Sequence, residues 1–182
     1  MTDTSFTSRV ATLDDLDLIK AVMDNAIKQL QADFLSPEQV EASAELMGLD
    51  TQLIEDGTYF LILAENGDLA GCGGWSRRAT LYGGNHTKGR DARLLNPETD
   101  PARVRAMYTN PAYTRRGVGR KIMDLCEGAA ASEGFQSYEL MATLAGVPLY
   151  RVCGYAPVEE VAVETSNGVK VPLVRMQKHK AP

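Results

Sequence analysis

Between Ala102 and Cys126 the chain passes from one hydrophobic period to another, and it marks the change with glycine and positive charge. "ARVRAMYT" reads as a strand ended by Asn110-Pro111. "TRRGVGRK" follows, and then Val118, Ile122, Leu125, Cys126 and Ala129 trace one face of a helix that Gly134 stops. A Gly-x-Gly pair entering a helix constrains the backbone strongly. The first N–H groups of a helix have no intrahelical partners, and glycine lets another group approach the chain closely because it has no Cβ. Such a helix start is suited to an anion, above all a phosphate or pyrophosphate. Taken alone, the pair is also compatible with a tight strand-to-helix corner.

Other phosphate loops do not fit. The Walker pattern Gly-x-x-x-x-Gly-Lys-Ser/Thr is absent, and Ile122 stands where a dinucleotide fingerprint would need its third glycine. The net charge of −5 argues against nucleic-acid binding. Basic residues nevertheless outnumber Asp91, Glu98 and Asp100 between Arg77 and Arg120, which is either a mixed solvated surface or a mouth for an anionic ligand.

The remaining segments form an α/β pattern. A strand around Arg9 to Ala11 leads to a helix capped by Thr12, with Leu16, Ile19, Val22, Met23, Ala26 and Ile27 at helical spacing. Ser36-Pro37 opens a second helix. Thr58 to Ala64, the Asn66-Gly67 turn and Asp68 to Ser76 read as a hairpin. Its Gly71, Gly73 and Gly74 point to a bulge or close packing. Residues 78–100 form a long loop of the kind that is functional or disordered. After the phosphate-loop helix come the strand "FQSYELMA", the short helix "GVPLYRVC", and two strands joined at Asn167-Gly168. The expected order is β-α-α-β-β-β-α-β-α-β-β, one mixed sheet in one domain over residues 1–182, largely antiparallel in its first half.

No apolar run approaches the roughly 20 residues of a membrane span. The opening "MTDTSFTSRV" lacks the basic end and apolar core of a signal peptide, so a cytoplasmic protein is expected. Three scattered cysteines and two histidines give neither a disulfide framework nor a metal site.

A second segment, "TLAGVPLYRVCGYAPV", gives the glycine pair its context. Together the two segments resemble the GCN5-related N-acetyltransferase (GNAT) family. That family's acetyl-CoA loop has the form Gln/Arg-x-x-Gly-x-Gly/Ala, matched here by Thr114 to Gly119. Its later motif, Asn-x-x-Ala-x-x-Phe-Tyr-x-x-x-Gly-Phe/Tyr, is matched by Thr143 to Tyr155. Thr114, Thr143 and Gly146 depart from the usual Gln/Arg, Asn and Ala. The resemblance covers essentially the whole chain.

It implies a sheet splayed between the fourth and fifth strands, with pantetheine in the opening. Met107, Tyr108 and Thr109 would then contact pantetheine and the acetyl group. Arg115, Arg116, Gly117, Val118, Gly119 and Arg120 would receive the pyrophosphate, with Lys121 nearby. Tyr150 resembles the family's general acid, and no metal is implied. The resemblance also implies acetyl transfer from acetyl-CoA, as cosubstrate, to a primary amine of a small molecule by direct attack. A protein N-terminus or lysine is the alternative acceptor, and a non-catalytic CoA-binding sensor or interaction module of the same fold the alternative function. Family members are often dimeric. No residue presents itself as general base: Glu65 and Glu139 are conceivable, though each reads better as a solvated strand residue. Trp75 is a further candidate for the acceptor pocket, equally readable as core. Arg77 and Arg78 could meet an acidic acceptor or CoA itself but read better as solvated surface, as does His86 of the long loop, a candidate to assist the acceptor.

Overall fold

The computed structural model describes residues 5–182; the first four, part of the opening segment read above for a signal peptide, lie outside them. The elements run β1 (Thr7–Val10), α1 (Leu16–Leu30), α2 (Pro37–Ser43), α3 (Thr51–Glu55), β2 (Tyr59–Leu63), β3 (Leu69–Ser76), β4 (Ala102–Thr109), α4 (Val118–Ser132), β5 (Ser137–Thr143), α5 (Val147–Val152), β6 (Ala156–Glu164) and β7 (Lys170–His179). The expected order therefore holds, with one short helix added between α2 and β2. The seven strands form one sheet in the order β1-β2-β3-β4-β5-β7-β6. Only β4 and β5 pair in parallel; β1 to β4 run antiparallel, as do β5, β7 and β6.

Local chemistry sets the boundaries. Thr12 precedes a 3-10 turn, Leu13–Asp15, rather than α1 itself. Asp15 accepts from the Thr12 N–H at 2.8 Å and from both terminal nitrogens of Arg9. Ser36 and Gln39 cap α2 reciprocally, each side chain accepting from the other's backbone N–H. The unforeseen α3 is started by Asp50, whose carboxylate accepts from the Gln52 N–H at 3.1 Å. Its five residues are too few to show a helical period.

Two apolar layers cover the sheet. On one face α4 buries Val118, Ile122, Met123, Cys126 and Ala130 against Ile62, Ala70, Val104 and Leu140. On the other, α1 and α3 bury Ile19, Val22, Met23 and Leu53 against Leu61, Leu69 and Tyr108. A fully buried side chain of this size contributes about 1.5–3 kcal/mol. The glycines of β3 explain how closely α4 lies: a Cβ on Gly71 would stand 2.5 Å from Val118 Cγ1, and one on Gly73 2.8 Å from Ile122 Cγ2. Among the described residues, no helix is long and apolar enough to cross a membrane.

Candidate active site

The site begins where the sheet comes apart. Parallel pairing of β4 with β5 is confined to Ala102↔Tyr138 and Arg103↔Glu139, yet β4 continues to Thr109. Ala106 interrupts it with a φ of 52°, a sparsely allowed value for a residue with a side chain. The register against β3 slips opposite this point, between Cys72 and Gly74. Beyond the bulge, Asn110 N–H donates to the Ala70 carbonyl on β3. Because backbone groups alternate along a strand, those of Met107 and Thr109 face the open side, where β5 has diverged. The splay expected between fourth and fifth strands is thus present, and these residues line it.

Directly after β4, Asn110 starts a 3-10 turn, its side chain accepting from Ala112 N–H at 3.0 Å. Arg115 and Gly117 then take positive φ values of 63° and 82°, and α4 begins at Val118. Its first internal hydrogen bond runs from Lys121 N–H to the Gly117 carbonyl at 3.0 Å. The N–H groups of Gly117, Val118, Gly119 and Arg120 therefore have no intrahelical partner. They border a groove of about 750 Å³ that also takes in Met107, Tyr108, Thr109, Arg115, α5 and the end of α1.

Arg116 does not line this groove; its guanidinium lies 5.3 Å from the centre of the Tyr113 ring. Lys121 turns away and donates to the Phe6 carbonyl. Gly119 has a packing reason beside the expected one, since a Cβ there would stand 2.6 Å from Leu149 Cδ2 of α5.

Tyr150 sits on α5 at the junction of this groove with a second, smaller cavity of about 80 Å³; Met47, Met107, Tyr108 and Thr143 line both as well. Its ring meets Tyr155 edge-on at 6.2 Å. A Cβ on Gly146 would stand 2.7 Å from Tyr150 Cε2, so glycine in place of the motif's alanine makes room for the ring. Among the described residues the Tyr150 hydroxyl has no hydrogen-bond partner, and burial pushes its pKa well above the ordinary phenol value, keeping it protonated.

The small cavity is walled by apolar side chains, among them Leu46, Met141 and Leu173, and by Leu81, Tyr82 and Gly83 from the long loop. That loop is tied down rather than open. Ala79 and Leu95 N–H donate to the carbonyls of Arg93 and Arg77, and Asn85 N–H to that of Leu49. Its His86 holds it to α2, with Nε2 2.9 Å from the Ala44 carbonyl. Gly48 N–H donates to the Tyr108 hydroxyl at 3.2 Å.

Arg105, which sequence reasoning passed over, is the only charged residue lining this cavity among the described residues. Its Nη2 donates to Asp50 Oδ2 at 3.0 Å and to the Gly83 carbonyl at 2.7 Å. Arg90 Nη1 lies 2.7 Å from the same Asp50 oxygen. The only available sequence signal was the second of two arginines alternating with apolar residues along β4.

The remaining candidates lie elsewhere. Trp75 is core, packed edge-on against Phe135 at 5.8 Å. Arg77 pairs with Glu133 and Arg78 with Asp56. Cys126 is fully buried. Glu65 is exposed and accepts from Ser5. Glu139 is not a solvated strand residue: it is 4% exposed and gripped by Arg103 and Arg175.

A splayed parallel strand pair, an amide-lined helix start and a tyrosine between two cavities define an acyl-transfer scaffold of known type. A model of the acetyltransferase (GNAT) family matches residues 23–155, most of the chain, and the protein belongs to that family. Solved structures agree in fold. A GCN5-related N-acetyltransferase from Rhodopseudomonas palustris superposes with a TM-score of 0.71 at 21% identity, over 98% of each chain. The PaiA N-acetyltransferase from Thermoplasma acidophilum, in complex with coenzyme A, gives 0.62 at 14% identity, over 96% of this chain and 99% of that one. The ribosomal-protein-S18-alanine N-acetyltransferase from Escherichia coli gives 0.59 at 16% identity, over 98% and 96%. No curated protein matches the chain.

Proposed function

We propose that this protein is an acetyl-CoA-dependent N-acetyltransferase that moves an acetyl group to the primary amine of a small molecule, with residues 1–182 acting as one domain. One observation carries the reading: Tyr150 stands where the long groove meets the small cavity, so one side chain borders the space for both cosubstrates. The donor set fits acetyl-CoA. Four unpartnered N–H groups at the start of α4, with Arg115 and Arg120 beside them, suit a pyrophosphate. The open backbone of Met107 and Thr109 suits the amide-bearing pantetheine arm. We place the enzyme in the cytoplasm, where its three unpaired cysteines match a reducing compartment.

The chemistry follows from these positions. A neutral amine in the small cavity attacks the thioester carbonyl carbon, forming the C–N bond. An N–H of β4 facing the wedge steadies the developing oxyanion. The C–S bond breaks, the Tyr150 hydroxyl gives its proton to the departing sulfur, and water takes the proton released by the amine. Positioned proton transfer of this kind contributes about 10²–10⁴-fold. The size of the small cavity supports a small acceptor over a protein N-terminus.

The test is calorimetric titration with acetyl-CoA, using dephospho-CoA and NAD as comparisons, followed by thiol release on a panel of primary amines. Acetyl-CoA is expected to bind and NAD not to; binding with thiol release establishes the transferase. Folded protein that binds no acetyl-CoA would end this reading.

A further inference from the structure

Asp50 and Arg105 are both almost inaccessible, each with a side chain 2% exposed. Burying a charge is costly unless it is paired, so the charges in this cluster can be counted. Asp50 supplies one negative charge. Arg105 and Arg90 supply two positive ones, and both approach the same oxygen, Oδ2. The other oxygen is occupied by the Gln52 N–H. One positive charge is left over in the cluster: Arg90, a quarter exposed, reaches Asp50 from outside the small cavity, and Arg105 is the charge at the cavity wall.

The guanidinium also has unused donors. Arginine carries five N–H groups in a planar fork. Nη2 serves Asp50 and Gly83, whereas Nη1 and Nε of Arg105 donate to nothing among the described residues. Nothing else along this cavity offsets the surplus, because every other lining residue is uncharged. Other carboxylates of these segments are engaged elsewhere: Asp56 holds Arg78, Asp91 holds Arg93, and Glu139 holds Arg103 and Arg175.

We propose that the acceptor amine carries an anionic group, a carboxylate or a phosphonate, and that Arg105 receives it in the small cavity. The length of the acceptor follows from the cavity. Arg105 and Met107 both line the same space of about 80 Å³. An amine reaching the wedge beside Met107 and an acid reaching Arg105 are therefore only a few bonds apart. That is the spacing of an amino acid or a short ω-amino acid with an apolar body. The same surplus charge disfavours di- and polyamines, whose second cation would meet no carboxylate in the cavity. The amine half of this assignment rests on the transferase reading above; the acid half rests on Arg105, Arg90 and Asp50.

The two halves separate in one experiment. Protein saturated with CoA is titrated calorimetrically with leucine, methionine and 4-aminobutanoate, with the amine lacking the acid group in each case, and with the matching phosphonates. At least one acid is expected to bind at least about tenfold tighter than its acid-free amine. Comparison of carboxylate with phosphonate decides which anion is preferred. Arg105→Met is expected to bring each pair within about threefold while leaving acetyl-CoA affinity unchanged. Arg90→Met, a change in a more accessible loop, removes the surplus without emptying the cavity and is expected to cut the preference at least about threefold. The proposal is overturned if no acid outbinds its amine, or if the preference survives whole in the folded variants. Thiol release is scored separately. Acid preference without thiol release would sink the transferase reading and leave the Arg105 site standing; thiol release on plain amines without acid preference would do the reverse.

Discussion

Tyr59 donates its hydroxyl hydrogen bond to the Ala106 carbonyl at 2.7 Å, at the residue whose φ of 52° kinks β4. The kink persists because a buried neighbour holds it. Removing the hydroxyl takes the hydrogen bond from a part-buried carbonyl, at a cost of about 1 kcal/mol. Tyr59→Phe is expected to lose about that much stability in urea denaturation and to weaken acetyl-CoA binding several-fold. Full stability and affinity in the variant would mean that the kink holds itself.

The phosphate cradle is best probed at Gly117. A side chain at Gly119 would collide with Leu149, mixing packing with charge, whereas a Cβ at Gly117 meets nothing within 4 Å. Asn and Asp both tolerate the left-handed conformation found there. Gly117→Asp is expected to weaken acetyl-CoA at least about tenfold more than Gly117→Asn, a difference of about 1.4 kcal/mol. Equal affinities by calorimetry would remove the pyrophosphate from this helix end.

Much of this arrangement was legible before the fold was seen, for identifiable reasons. Gly117, Gly119 and Tyr150 fall in short motifs whose spacing is local, so each could be read from its neighbours. The glycines of β3 announced a close approach, and Val118 and Ile122 of α4 are what approaches. Arg105 was not legible, because its partners Asp50 and Arg90 come from distant segments and their meeting is purely tertiary. The same is true of Lys121, whose side chain goes to the distant Phe6 carbonyl, whereas Arg116 lies over the ring of Tyr113, only three residues away.

If Tyr150 is the acid, its loss touches turnover and not cosubstrate affinity. Tyr150→Phe is expected to lower kcat about 10²-fold or more with the acetyl-CoA dissociation constant nearly unchanged. The protonated form is the active one, and burial raises its pKa above the ordinary value of 10.0. Wild-type kcat should accordingly show no decline attributable to this phenol between about pH 8 and 10, because loss sets in only above the raised pKa. Undiminished kcat in the variant across that range would leave Tyr150 a packing residue.

Asp15 ties the opening strand to the helix that follows. The Arg9 hydrogen bonds hold its pKa down at about 2, against an ordinary 3.8. A lowered carboxylate pKa stabilises the fold above the unfolded value, and that stability is lost as pH falls toward 2. Arg9 is 45% exposed at its side chain, so solvent screening reduces the contribution to about 1 kcal/mol. Asp15→Asn still accepts from Thr12, isolating the charge. It is expected to be about 1 kcal/mol less stable at pH 7, with the gap closing between about pH 4 and 2 in denaturant titrations. A gap independent of pH would assign the effect to shape.

Glu139 is the buried carboxylate that a search for a general base would reach first, and its surroundings argue otherwise. Arg175 and Gln177 donate to Oε1, Arg103 donates to Oε2, and the residue lines neither the groove nor the small cavity. A carboxylate that borders neither cavity is out of reach of an amine held in either. Its work is to join β4, β5 and β7 where the first two are about to part. Removing its charge leaves Arg103 without a carboxylate, while Arg175 keeps Glu159; with both arginines partly exposed, the buried-pair penalty is reduced to about 2 kcal/mol. Glu139→Gln is expected to lose about that much in urea denaturation, while kcat/KM against pH keeps its wild-type shape. Disappearance of the limb on which the rate rises with pH, in a variant of near-native stability, would instead make Glu139 the base.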